Sequence, residues 1–271
     1  LGNPRNSLQS HLRATRELVK IAQDHPSKQH YSEVYAVLFE VYTYYSTMMT
    51  FQHAASRCDI QANIDSLQFY RSLTRSSTFG YIMVAACDLF TLMPYVALFG
   101  LLIRTLGQTA HSCLEVELMY RRLAAKILCW QDDGSARLPE EVVKVTLIYQ
   151  NALLMFLHAS YLCQETDRST LESTLKPIVA DTLTLYESIR DMPVSVTTFW
   201  PMVIVGSCLF EQQDKDRLLS YVMSGRLTSG IQARASVALL WMWERQDEEG
   251  LFGPVGLERF TQENDTGLCI G

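Results

Sequence analysis

The chain has 271 residues, 48% of them hydrophobic and 19% charged, with a formal net charge of −6. That length suits one large domain able to bury roughly 75% of its unfolded surface, so neither disulfides nor metal are needed to hold a core. Lys and Arg are dispersed, which excludes the clustered basic face of direct nucleic-acid binding; the densest group, Arg121, Arg122 and Lys126, reads as a solvated helix face.

The hydrophobic period is helical almost throughout. Leu8, Leu12, Thr15, Val19 and Ala22 share one face, and Asp24-His25-Pro26-Ser27 ends that helix. Tyr31 to Phe51 is rich in tyrosine and valine, which favours strand locally, but its length without a turn signal predicts helix. Ala62 to Leu73 predicts a shorter amphipathic helix. Phe79 to Ile103 carries one charge, Asp88, and reaches the about 18–20 residues of a membrane span. Asp88, Pro94 and the absence of an aromatic belt or basic cluster argue against a span. The expectation is two consecutive buried helices breaking near Met93-Pro94.

Val116, Met119, Leu123, Ile127 and Trp130 form the next stripe, and a turn at Asp133-Gly134 follows. Pro139, Glu140 and Glu141 open a helix to about Cys163, its first turn suited to the helix dipole. Val145, Ile148, Ala152, Met155, Ala159 and Leu162 line one face; Leu147, Leu154 and Tyr161 line a second, so this helix is expected to be central. Ser169 to Ile189 is a further helix, kinked or split at Pro177. In "TTFWPMVIVGSCLF", Pro201 fits the first turn of a helix and Thr197 or Thr198 fits its cap. Gly206 lies midway, where glycine costs about 1 kcal/mol relative to alanine, and predicts close approach by a neighbouring helix. Asp214 is expected to cap Lys215–Met223, and Thr228 or Ser229 a long helix through Glu244. "DEEGLFGPVG" reads as a loop. With no strand pair, hairpin signal or fixed repeat, residues 1–271 predict an all-α fold: a single globular domain of roughly ten helices with a central buried helix pair.

Seven cysteines without a CxxC pair, mostly in apolar runs, predict buried, reduced thiols in an intracellular protein. Leu1 to Lys20 has no signal-peptide core, and a start at Leu1 suggests a piece of a longer protein. His53/Cys58 and His111/Cys113 lack metal-ligand spacing, so no metal is expected. Asp132-Asp133 lacks the third carboxylate of a prenyl-diphosphate site, and Gly250, Gly253 and Gly256 lack the lysine of a phosphate loop. No catalytic residue and no cofactor is predicted. His158, between Leu157 and Ala159, reads as a hydrogen-bonded core or rim histidine, or as a polar handle in an apolar pocket.

"FWPMVIVGSCLFEQQDKDRLLSYV", Phe199 to Val222, resembles a segment of the fungal-specific transcription factor domain, the regulatory region of Zn2Cys6 binuclear-cluster transcription factors. The matching elements are Trp200-Pro201, the apolar run to Gly206, and Asp216-Arg217, followed by "ALLWMWERQDEEG". Upstream, "HLRATRELVKIA", "LFEVYTYYSTMM" and "YQNALLMFLHASYL" fit the family's order. The six-cysteine zinc cluster is absent from this chain, so DNA would be reached only through a separate domain. The resemblance implies a nuclear regulator, shuttling with the cytoplasm, that senses a small hydrophobic ligand, sterol-like in some members. Coregulator proteins and a second copy are the implied partners, and no membrane span is implied. The alternatives are a protein-interaction or dimerisation domain without a small-molecule site, and an α-helical enzyme. For a ligand site, apolarity plus one polar handle selects Phe90, Met93, Tyr149, His158, Trp200 and Met202.

Overall fold

The two apolar faces of the Glu140 helix require neighbours on both sides, and the fold supplies them. The computed structural model describes residues 15, 17, 33–49, 51, 60–65, 67–68, 87–130, 138–162, 168–224 and 229–264. Among these, every regular element is helical. They are α1 (Glu33–Met49), α2 (Cys87–Leu106), α3 (Leu114–Leu128), α4 (Glu140–Leu162), α5 (Arg168–Ile189), α6 (Phe199–Ser207), α7 (Gln212–Ser224), α8 (Ser229–Glu249) and α9 (Gly253–Glu263). Two 3₁₀ helices, Gly107–Ser112 and Pro193–Thr198, precede α3 and α6. Residues 60–65 and 67–68 are also helical. Of the expected Leu8–Ala22 helix only Thr15 and Glu17 are described, both helical. The Asp133-Gly134 turn, Thr228 and Phe79–Ala86 lie outside the described residues.

α4 is the pillar. It packs against α2, α3, α5, α6, α9 and the second 3₁₀ helix, and buries a continuous run from Ala152 to Leu157. Beside it lies α6, nine residues long and buried at every one; α4 and α6 are the central buried pair. Two helices are long and apolar enough to cross a membrane, Asp88–Leu106 and Glu140–Leu162. Their apolar windows are 50% and 67% buried inside the protein, as in core helices.

Three local expectations are corrected and a fourth is narrowed. α2 runs through Pro94 rather than breaking there. Proline removes one N–H, and Pro94 is buried beside Met93, Val96 and Ala97, so packing holds the helix together. α5 is one helix through Pro177, which is exposed, so of the two alternatives there the split is excluded. α7 starts before Asp214: the Glu211 carbonyl accepts from the Asp214 and Lys215 N–H groups at 3.1 Å each, leaving Asp214 within the first turn. Of "DEEGLFGPVG" only Gly250 to Phe252 is loop. α8 extends to Glu249, and Pro254 in the first turn starts α9, whose Leu257 and Phe260 enter the core. Gly253 has φ +54°, and a Cβ there would stand 2.9 Å from the Ala159 Cβ on α4, so only glycine lets α9 begin against the pillar. The cysteines also differ: Cys208 is buried, Cys113 half-buried and Cys129 exposed, all three as free thiols.

A fully buried helix must find partners for its end carbonyls. Here the Cys208 and Leu209 N–H groups supply two, to Val205 at 2.9 Å and Gly206 at 3.4 Å, and α8 adds more. Trp243 Nε1–H donates to the Gly206 carbonyl at 2.9 Å, and Gln246 Nε2–H donates to the Leu209 carbonyl at 3.0 Å. Lys215 Nζ donates to Gln246 Oε1 at 2.7 Å, fixing the amide's orientation. At the other end Thr198 occupies the cap position, but its hydroxyl donates back to Ser195 at 2.7 Å and makes no cap bond. A Cβ on Gly206 would lie 2.7 Å from Leu239 Cδ1 and 2.8 Å from Leu218 Cδ2. Glycine therefore admits α7 and α8 at once. Gly206→Ala is expected to destabilise the protein by about 1–3 kcal/mol through overpacking, despite alanine's better helix propensity. Chemical denaturation measures it; a Gly206→Ala protein as stable as the parent would show that the leucines can withdraw.

Candidate functional site

The six sequence-selected residues fall into two groups. Phe90, Tyr149 and Trp200 meet in the core: the Tyr149 ring lies 5.1 Å from Phe90 and stacks on Trp200 at 6.1 Å. Phe51 closes on Trp200 at 4.7 Å. The Tyr149 hydroxyl donates to the Thr197 carbonyl at 2.6 Å, tying α4 to the turn before α6. Burial pushes its pKa well above the ordinary tyrosine value, so it stays a neutral donor. Met93 and Met202 are wholly buried on α2 and α6. Trp200 Nε1–H is buried without a hydrogen-bond partner among the described residues. His158 stands apart, with Tyr120 of α3 and Tyr161, whose rings stack at 4.3 Å.

A cleft of about 460 Å³ opens elsewhere, and none of the six lines it. Its walls follow from helical period. Thr91, Leu92, Tyr95 and Leu98 form one side of α2; Met119, Arg122, Leu123 and Lys126 form one side of α3. Ile64, Leu67 and Gln68 complete it. That third wall is held by Asn63, which is buried and whose Nδ2 donates to Ser46 Oγ and Thr47 Oγ1 on α1, both at 3.1 Å. The far end of α3 is pinned by Gln150 of α4, donating to the carbonyls of Ile127 at 2.7 Å and Trp130 at 3.2 Å. Among the described residues no three His, Cys, Asp or Glu side chains converge as metal ligands.

Sequence reading missed Leu92, Tyr95, Leu98, Arg122 and Lys126. The stripe on α3 buries Val116, Leu123 and Ile127, but leaves Met119 43% exposed at the cleft. Arg122 stands three positions from Met119 and Lys126 three from Leu123, spacings that share a side of the helix, which was the available signal.

His158 carries the sharpest electrostatic consequence. Burial holds its pKa down to about 4, against 6.5 in an open chain, so in the folded protein it is neutral, and its Nδ1 shares a hydrogen bond with the Tyr120 hydroxyl at 2.7 Å. Between those values the unfolded chain binds the extra proton. Stability is therefore complete above pH 6.5 and is lost as the pH falls through 4. His158→Gln is expected to flatten that acid limb by about 1–3 kcal/mol. Unfolding free energies measured from pH 7 to pH 4 test this; an unchanged slope in His158→Gln would assign the titration to another group.

The model of one protein family, described as the fungal specific transcription factor domain, matches residues 2–270. No curated protein and no solved structure gives a significant match. The matched span contains every element on which the resemblance rested, and the structure gives those elements physical work: Trp200 sits in the aromatic stack, Gly206 admits two helices, and Trp243 caps α6. Matched almost end to end and folded as one set of helices around a buried pair, the chain belongs to the fungal specific transcription factor domain family.

Proposed function

We propose that this domain senses a small hydrophobic ligand in the α2–α3 cleft and sets the activity of a nuclear transcription factor accordingly. Membership of the family gives the chain a regulatory role in a fungal transcription factor. The cleft is the observation that supports sensing. Its volume of about 460 Å³ falls in the roughly 300–1,000 Å³ range of small-molecule sites, and most of its lining is aliphatic or aromatic. Both walls belong to helices that rest on α4, so an occupant that spreads α2 from α3 shifts surfaces supported by the pillar. The reading needs no catalytic group. It moves the ligand contacts from the core aromatics to the cleft; Phe90, Met93, Tyr149, Trp200 and Met202 become its packed support, and His158 a neighbour on α4.

A second reading, an interface with another copy of the chain, is favoured by the outer side of α3. Leu114, Leu118 and Leu128 are 68%, 55% and 58% exposed there. Glu115 and Glu117 lie in the first half of α3 and Arg121, Arg122 and Lys126 in the second, so an antiparallel pairing of two α3 helices is self-complementary.

Leu98→Trp fills the cleft with bulk, and Val237→Trp on the exposed side of α8 is the control. Titration with the neutral apolar dye Nile red is expected to show saturable binding that Leu98→Trp weakens at least about tenfold and Val237→Trp leaves unchanged. Absent binding, or equal binding in both variants, would contradict the ligand site. Leu118→Glu tests the second reading by sedimentation: a dimer lost in that variant supports it, and a monomeric parent protein removes it.

A further inference from the structure

Resting on the reading of the cleft as a ligand site, we infer that its ligand is an amphipathic anion, with a slender apolar body and one anionic head of the long-chain carboxylate class. The cleft holds two cations, Arg122 and Lys126, and no Asp or Glu among its lining residues. The two lie four positions apart on one side of α3, where like charges repel. Neither makes an ion pair or hydrogen bond with a described residue, whereas the adjacent Arg121 is held by Glu117 at 2.5 Å.

Several other cations among the described residues are ion-paired. Arg104 pairs with Glu258, Arg217 with Glu187 and Asp214, Arg259 with Glu249 and Glu263, and Lys176 with Glu211. In a chain with 29 acidic and 23 basic residues carboxylates are in excess, so two neighbouring cations at the mouth of an apolar cleft that pair with no carboxylate among the described residues form a site for an external anion. Arg offers a planar fork matched to a carboxylate, and Lys a point charge beside it. The remaining polar lining is sparse. The Thr91 hydroxyl already donates to the Asp88 carbonyl at 2.6 Å, leaving Gln68 and Tyr95 as the other donors. Leu92, Leu98, Leu123, Ile64, Leu67 and Met119 supply the wall for the apolar body. A neutral hydrophobic ligand would leave both cations as they are; an anionic one removes their mutual repulsion.

The test compares dodecanoate with dodecan-1-ol by isothermal titration below the micellar range, on the unaltered protein and on Arg122→Gln/Lys126→Gln. The acid is expected to bind at least about tenfold tighter than the alcohol, with a preference that added salt reduces. The double variant is expected to lose that preference and to keep the alcohol's affinity. Acid and alcohol binding equally to the unaltered protein would overturn the inference while leaving the cleft reading intact. Neither binding would overturn both. An acid preference that survives in the double variant would place the anion elsewhere and overturn it, as would an acidic helical peptide binding at Arg122 and Lys126 where dodecanoate does not. Binding to vesicles of anionic phospholipid with none to the free acid would also overturn it.

Discussion

The carbonyl end of α6 is the constraint from which the rest of the arrangement follows. A helix buried at all nine positions gains the transfer energy of Trp200, Met202, Val203, Ile204 and Val205, but brings the carbonyls of its last turn into the core, away from water. The N–H groups of Cys208 and Leu209 meet the Val205 and Gly206 carbonyls, and α8 adds two side-chain donors, Trp243 to Gly206 and Gln246 to Leu209, 37 residues along the chain in each case. Their positions require α8 to cross α6 closely, which in turn requires Gly206. Lys215, buried and donating to Gln246, draws α7 into the same junction. Its pKa is lowered by burial, so the ammonium is held there against its own desolvation cost. One local fact about a charge-free segment thus fixes three helices.

α4 also carries the α2–α3 pair. α2 and α3 each place one face on the pillar, through Phe90, Met93 and Val96 on α2 and Val116, Leu123 and Ile127 on α3. Two cylinders resting on a third need not meet along their whole length. Where they do not, α2 and α3 leave the strip that becomes the cleft. The two groups of helices therefore suit different tasks. The α6–α7–α8 junction satisfies backbone groups in the core and tolerates little change, while the α2–α3 pair keeps Tyr95 and Met119 partly uncovered and can accept an occupant.

Features set by local period were legible in the sequence. The double-faced pattern of α4 predicted a central helix, Pro201 and Gly206 predicted a helix start and a close approach, and the charge-free run predicted burial. What was hidden depends on partners far along the chain. Pro94 reads as a break because the penalty is local, whereas the burial that sustains α2 comes from elsewhere. Gly250, Gly253 and Gly256 punctuate the chain so densely that α9 reads as loop, although Gly253 is there for its approach to Ala159. Arg122 and Lys126 look like an ordinary solvated face until α2 stands opposite them. The aromatic residues chosen for a ligand site are apolar because they build the core, a reason that composition cannot separate from ligand binding.

The most direct test of the central claim is a methyl NMR titration of the protein with dodecanoate. The account predicts shifts concentrated at Leu92, Leu98, Leu123, Ile64 and Met119, around the cleft, with Met93 and Met202 in the core little changed. Shifts centred on Met93 and Met202 would return the ligand to the core between α2 and α6 and contradict the cleft; no saturable shift at either place would contradict a sensing role for such ligands.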